Sequence, residues 1–222
     1  MATLDTIPIF DQSRLREMAV ERPTPADTRK PIGELTDPRT VRKAERRRCL
    51  RLRREHDAAE RIGRLPEPQE DIIIILDGRF HGFDVLAALL DLAGEGVTAD
   101  EVWIGTLGFN RTQTNALAEM LDSGQIKTLR FVVSHMCTQK NQGEYEYLAD
   151  TLTSRGQVIA DTRNHAKLML VKLSDGRAIV GHGSLNLRRC NSFEQLVITQ
   201  DEHLFDFFST FLQDVIDGKE TT

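Results

Sequence analysis

DIIIILDGRFHGFDVLAALLDLAGEGVTADEVWIGTLGFN, residues 71–110, carries the pattern on which the fold reading rests. Ile72–Leu76 is an unbroken apolar run between charged residues, the signature of a strand buried on both faces. From Phe83 to Ala93 the apolar residues Val85, Leu86, Leu89, Leu90 and Leu92 recur at helical spacing. Val102–Leu107 reads as a second strand. The alternation continues with a helix at Arg111–Leu121, a strand at Thr128–Ser134, a helix at Glu144–Thr153 and a short strand at Val158–Ala160. Strand and helix alternating at this spacing predict an α/β fold with a mixed, mostly parallel sheet flanked by helices on both faces. The pattern then changes. His165–Leu173, a Ser174-Asp175-Gly176 turn and Arg177–Gly181 read as an antiparallel hairpin. Gln195–Thr199 is one more strand, and Glu202–Ile216 a closing amphipathic helix. These elements make one α/β domain over residues 65–222.

Upstream of this body the text differs. Leu65-Pro66-Glu67-Pro68 is a stiff connector, and residues 37–64 form a basic helical arm that Asp37 and Pro38 can start and Gly63 can end. Residues 1–36, with four prolines and no sustained apolar period, read as a flexible lead with one short helix near Ser13–Arg22. The formal net charge of -5 conceals a polarity. Residues 39–64 hold eleven Arg/Lys against four Asp/Glu, whereas residues 65–222 hold thirteen against twenty-three. Two readings of the arm stand side by side: a charged helix packed on the body or on a partner chain, and an arm that tracks phosphates through Arg42, Arg46, Arg47, Arg51 and Arg54. No aromatic is interleaved there, so the arm offers no base stacking.

Several classes drop out on composition. At 222 residues, 40% hydrophobic and 28% charged, the chain is ordinary globular material. It has no run of 18 apolar residues, so no membrane-spanning helix is expected. Its first fifteen residues lack the pattern of a secretory signal. Cys49, Cys137 and Cys190 are scattered and without CxxC spacing, which points to a reducing cytoplasm and away from disulfides or structural zinc.

The residues that can do chemistry are His165-Ala-Lys167, Gly183-Ser184-Leu-Asn186 and Glu194. On a strand, His165 and Lys167 share a face by the period of two. An imidazole beside an ammonium suits an anionic phosphate: one supplies nucleophile or acid, the other neutralises oxygen charge. Ser184 offers a hydroxyl and Asn186 an amide for non-bridging oxygens, while Glu194 can orient the imidazole. His135 and Cys137 are read as an ordinary strand end ahead of a substrate-facing role, whereas Arg79 and His81 after the first strand suit a phosphate contact and a plain strand-to-helix turn equally.

HAKLMLVKL followed by GHGSLNLRRCNSFEQ resembles the HKD signature of the phospholipase D superfamily: HxK, four residues, Asp, then GSxN and a later Glu. The alternating body from Asp71 to Ile216 is similar to the family's single-motif members, of which small bacterial endonucleases are the type. The resemblance implies a phosphodiesterase, a nuclease, in which His165 forms a phosphohistidine. Lys167 and Asn186 then bind phosphoryl oxygens, with Ser184 assisting and Glu194 orienting the histidine. It implies no metal and no cofactor. Because only one motif is present, it also implies a homodimer in which a second copy supplies the acid. The family Asp falls at Lys172, of opposite charge; one branch, the tyrosyl-DNA phosphodiesterases, also lacks it. Two other functions remain in view: a PLD-like nucleic-acid-binding or regulatory module with weakened turnover, and a lipid phosphodiesterase, for which no interfacial patch is visible.

Overall fold

The structure, a computed structural model, describes residues 39–76, 80–188 and 193–219, with residues 39–49 given as helical backbone only. In chain order the elements are α1 (Arg39–Ile62), β1 (Asp71–Leu76), α2 (Gly82–Ala93), β2 (Ala99–Thr106), α3 (Arg111–Asp122) and β3 (Ile126–Ser134). They continue with α4 (His135–Lys140), α5 (Gln142–Thr153), β4 (Val158–Thr162), β5 (Leu168–Leu173), β6 (Ala178–Gly183), β7 (Glu194–Gln200) and α6 (Glu202–Ile216). The predicted lead at residues 1–36, the Asp37-Pro38 start, and residues Arg79 and Cys190 lie outside the described residues.

The seven strands form one mixed sheet in the order β1-β7-β6-β5-β2-β3-β4. Its balance corrects the expectation of a mostly parallel sheet. Only β2–β3 and β3–β4 pair parallel. The ladders β1–β7, β7–β6, β6–β5 and β5–β2 are antiparallel. The alternating helices do keep β1 to β4 running in one direction. However, β1 is not a neighbour of β2, because the β5–β6 hairpin and β7 are inserted between them. Hydrophobic periodicity reports which face a residue takes, not which strand lies beside it.

One face of the sheet packs against α1, α2, α3 and α5. There Val102, Ile104, Leu129, Phe131, Val171 and Ile198 meet residues such as Leu86, Leu117, Leu148 and Ala58 in one buried cluster. Each Val, Leu, Ile or Phe side chain among them, fully buried, contributes about 1.5–3 kcal/mol relative to exposure. The other face carries α6, whose Phe205 and Leu212 cover Trp103, Val132, Leu168, Leu170 and Val180. This cover does not extend to β1. Ile73 is 65% and Ile75 57% exposed, so β1 is a half-buried edge strand rather than one buried on both faces.

The second half of α1 belongs to the same compact unit as the sheet, which runs from Glu45 onward. Ala58, Ala59 and Ile62 are core residues. Arg54 Nε lies 3.1 Å from Asp84 Oδ2, a carboxylate 1% exposed that also accepts the His81 backbone N–H at 2.8 Å. Arg51 reaches Glu119 at 2.8 Å.

Candidate active site

Strands β2, β3 and β4 all end at one edge of the sheet, where β5 and β7 begin and β6 ends. The motif residues arrive at this carboxyl edge by three separate segments. The first leaves β4. Asn164 is buried there, with its Oδ1 accepting the Ala166 N–H at 2.8 Å and its Nδ2 3.4 Å from Ala166 O and 3.5 Å from Val132 O. This amide engages backbone groups that a ladder would otherwise use. Strand β5 accordingly starts at Leu168, not at the expected His165.

His165 and Lys167 therefore stand on a lead-in loop, yet the loop brings them together. Lys167 Nζ is 3.2 Å from His165 Nδ1 and donates to His165 O at 2.8 Å. An ammonium can only donate, so with Lys167 on Nδ1 the neutral ring carries its proton on Nε2. His165 is exposed and Lys167 half-buried. Burial pulls the lysine below its ordinary pKa, while the Glu194 carboxylate acts the other way.

The second segment leaves β6 through Gly183. A Cβ at this glycine would sit 2.1 Å from Gln195 O, so no other residue fits without moving backbone. Past it, the Ser184 N–H donates to Gln195 O at 2.9 Å. The Ser184 hydroxyl donates to Glu194 Oε2 and accepts the Gln195 N–H at 3.0 Å. Asn186 Oδ1 accepts the Leu107 N–H at 3.2 Å, and Nδ2 has no hydrogen-bond partner among the described residues. Asn186 O accepts the Gly82 N–H at 3.2 Å, an approach that a Cβ on Gly82 would block at 2.7 Å. The Gln113 side chain holds Leu187 O at 2.9 Å. The GSLN segment is thus clamped against the first turns of α2 and α3.

The third segment is the start of β7, which supplies Glu194. Pairing of Leu168 with His182 and of Gly183 with Leu196 places β5, β6 and β7 side by side here. His165, Lys167, Ser184, Asn186 and Glu194 thus share one edge, and Lys167, Gly183, Gly82 and Thr106 line one narrow cleft. Glu194 is hydrogen-bonded to Ser184, and no bond joins it to His165 among the described residues. Such an arrangement presents an imidazole, an ammonium and a free amide N–H₂ to an anion at the edge.

Lys172 lies elsewhere. It sits five residues along β5, about 17 Å from Lys167 at ~3.3 Å per residue. There it donates to Glu202 Oε1 at 2.7 Å. Asp175 pairs with Arg177 in the hairpin turn. His182 packs on Phe208, with ring centroids 6.3 Å apart. Of the arm residues, Arg51 and Arg54 make the ion pairs with Glu119 and Asp84 described above, and the side chains of Arg42, Arg46 and Arg47 lie outside the described residues. Sequence reasoning missed Asn164, one residue before the motif histidine and readable as a loop anchor. It also missed helix α4 and the pairing of His135 Nδ1 with Asp161 Oδ2 at 3.0 Å. No spacing signal joins residues 26 positions apart.

The fold has solved counterparts. Polyphosphate kinase from Porphyromonas gingivalis matches with a TM-score of 0.50 and 16% identity over 73% of this chain, a match that spans only 26% of the kinase. NucT from Helicobacter pylori matches with a TM-score of 0.50 and 17% identity, over 67% of this chain and 96% of its own. Nuc from Salmonella typhimurium, described as a phospholipase D family member, matches at 0.47 and 15% identity, over 67% of this chain and 95% of its own. No family model and no curated protein sequence matches the chain. At these identities the likeness is one of fold: the body shares the fold of NucT and of a part of polyphosphate kinase.

Proposed function

We propose that the protein is a metal-independent phosphodiesterase, a nuclease, that works through a phosphohistidine on His165. The observation that carries this reading is the meeting of His165 and Lys167 at one edge with the free amide of Asn186. His165 Nε2 attacks phosphorus, forming a P–N bond as the P–O bond to the leaving alcohol breaks. For that attack the ring proton must reside on Nδ1, so Lys167 has to leave Nδ1 for a phosphoryl oxygen when substrate enters. The Asn186 amide takes a second oxygen, and Ser184 with Glu194 fixes the GSLN turn around both. The leaving oxygen needs a proton from the opposite side, and the chain has one such motif. His165 of a second copy, brought in by a twofold axis, donates that proton and then takes one from the water that hydrolyses the P–N bond. Both histidines end as they began.

A second reading is a nucleic-acid-binding module without turnover. The Lys167 contact to Nδ1 favours it, since that contact holds the ring in the tautomer with its proton on Nε2. One experiment separates the two: hydrolysis of bis(p-nitrophenyl) phosphate and single-stranded DNA in excess EDTA, by wild type and His165→Ala. The expected result is EDTA-resistant hydrolysis, lowered by about 10⁴-fold or more in the variant. Light scattering is expected to show a dimer. Folded wild-type dimer without turnover would establish the binding module instead.

A further inference from the structure

The motif accounts for one phosphate through Lys167, and the same edge holds three more cations that it leaves unused: Lys140, Arg163 and Arg188. Among the described residues, the Arg and Lys side chains without an ion-pair partner are Arg53, Arg61, Lys140, Arg163, Lys167 and Arg188. The first two are on α1. The other four stand at the carboxyl edge: Lys167 before β5, Arg188 against Gly108 just past β2, where its N–H donates to Gly108 O at 3.3 Å, Lys140 at the end of α4, which follows β3, and Arg163 beyond β4.

His135 stands with them, its side chain 52% exposed. Its Nδ1 is held by Asp161, whose Oδ2 also accepts the Thr138 hydroxyl at 2.8 Å. Nε2 has no partner among the described residues. The body as a whole is acidic, so this concentration of unneutralised cations at one edge is not a product of composition. Three strand-to-strand steps of ~4.8 Å separate β5 from β4, about 14 Å in all. That is room for more than one phosphate, not a single diester. Phe193, 81% exposed beside Glu194, adds an aromatic face at the same edge.

We infer that the carboxyl edge is a track for a single nucleic-acid strand. From the scissile position at Lys167 it runs to one side, where Arg188 and then Lys140, His135 and Arg163 hold phosphates. The inference rests on the phosphodiesterase reading for the scissile position alone. It moves the contact surface away from Arg51 and Arg54, which are neutralised by Glu119 and Asp84. Phe193 favours a strand that carries bases over a bare polyphosphate chain.

The test is anisotropy of a labelled single-stranded 12-mer with the full chain, titrated across salt. Lys140→Gln and Arg163→Gln are each expected to weaken binding several-fold and to flatten the salt slope by about 0.7. Arg53→Gln and Arg61→Gln are expected to do neither. Flattening by the α1 variants and not by the edge variants overturns the track. Equal competition by inorganic polyphosphate, with unchanged affinity in Phe193→Ala, overturns the base-bearing strand. Hydrolysis of bis(p-nitrophenyl) phosphate by wild type, measured in parallel, separates the two readings. Hydrolysis with edge variants that bind like wild type removes the track and leaves the phosphodiesterase. No hydrolysis with edge-dependent binding removes the enzyme and leaves the track.

Discussion

Where β2 and β3 begin, Lys127 pairs with Asp100 at 2.6 Å and Arg130 with Glu101, and nearby Lys172 pairs with Glu202 and Arg177 with Asp175. Where the same strands end, Lys140, Arg163 and Lys167 have no carboxylate at ion-pair distance among the described residues. The first edge is closed by a tight hairpin, and its charges are satisfied locally. The second is built of loops held by buried amides such as Asn164 and Gln113. An ion pair at the surface adds little to stability. An unpaired cation costs little there either, and it remains available to an anionic ligand. The difference between the edges is thus one of availability, not of charge content.

The largest effect is expected where the open edge is tightest. Gly183→Ala places a Cβ against Gln195 O and should cost about 3 kcal/mol in urea denaturation, with loss of hydrolysis. A small loss with activity kept would show that the GSLN turn has slack.

A pH profile sharpens the comparison next. Because burial lowers the Lys167 pKa, its ammonium deprotonates below the 10.5 of a free lysine. The alkaline limb of kcat/KM should therefore fall early, and Lys167→Arg should move that limb upward. The sign for folding is opposite. Burying the charged form disfavours folding at low pH, and this penalty is relieved as pH rises from the lowered value towards 10.5.

At the closed edge, Lys172→Asp restores the residue type of the family signature but puts it against Glu202. The expected outcome is a loss of about 1 kcal/mol and unchanged hydrolysis. A rise in hydrolysis would break the claim that this position faces away from the site.

The smallest effect is at Glu70, just before β1, whose pKa the Arg64 guanidinium lowers to about 2. Its contribution is present above the usual 4.5 and is lost as pH falls towards 2. Arg64→Gln should reduce that acid dependence of the denaturation midpoint, by a small amount because the pair is exposed and because the Glu67 N–H still donates to Glu70 at 2.8 Å.

Much of the body was legible in the chain. The β5–β6 hairpin was readable from its Ser174-Asp175-Gly176 turn, and α6 was predicted over the same residues that it occupies. Ile72–Leu76 was legible as a strand but not as an edge, since an apolar run does not say whether a helix covers its second face. Helix α4 was missed because six residues, HMCTQK, are too few to show a period. The motif residues were found by kind and spacing, but the strand under His165 was not there, because the Asn164 side chain delays the ladder to Leu168.

The sequence by itself determined most of the strands and helices, that β1 to β4 share a direction, and which side chains could handle a phosphate. These are local properties, set by side-chain periodicity and residue chemistry within a few positions. Only the tertiary structure decided that the sheet is largely antiparallel, that Arg51 and Arg54 are neutralised, and that Lys172 faces the closed edge. It alone put Lys140, Arg163, Lys167 and Arg188 together. Those outcomes depend on which strand lies beside which, and so on the packing of residues far apart in the chain, which no local pattern encodes.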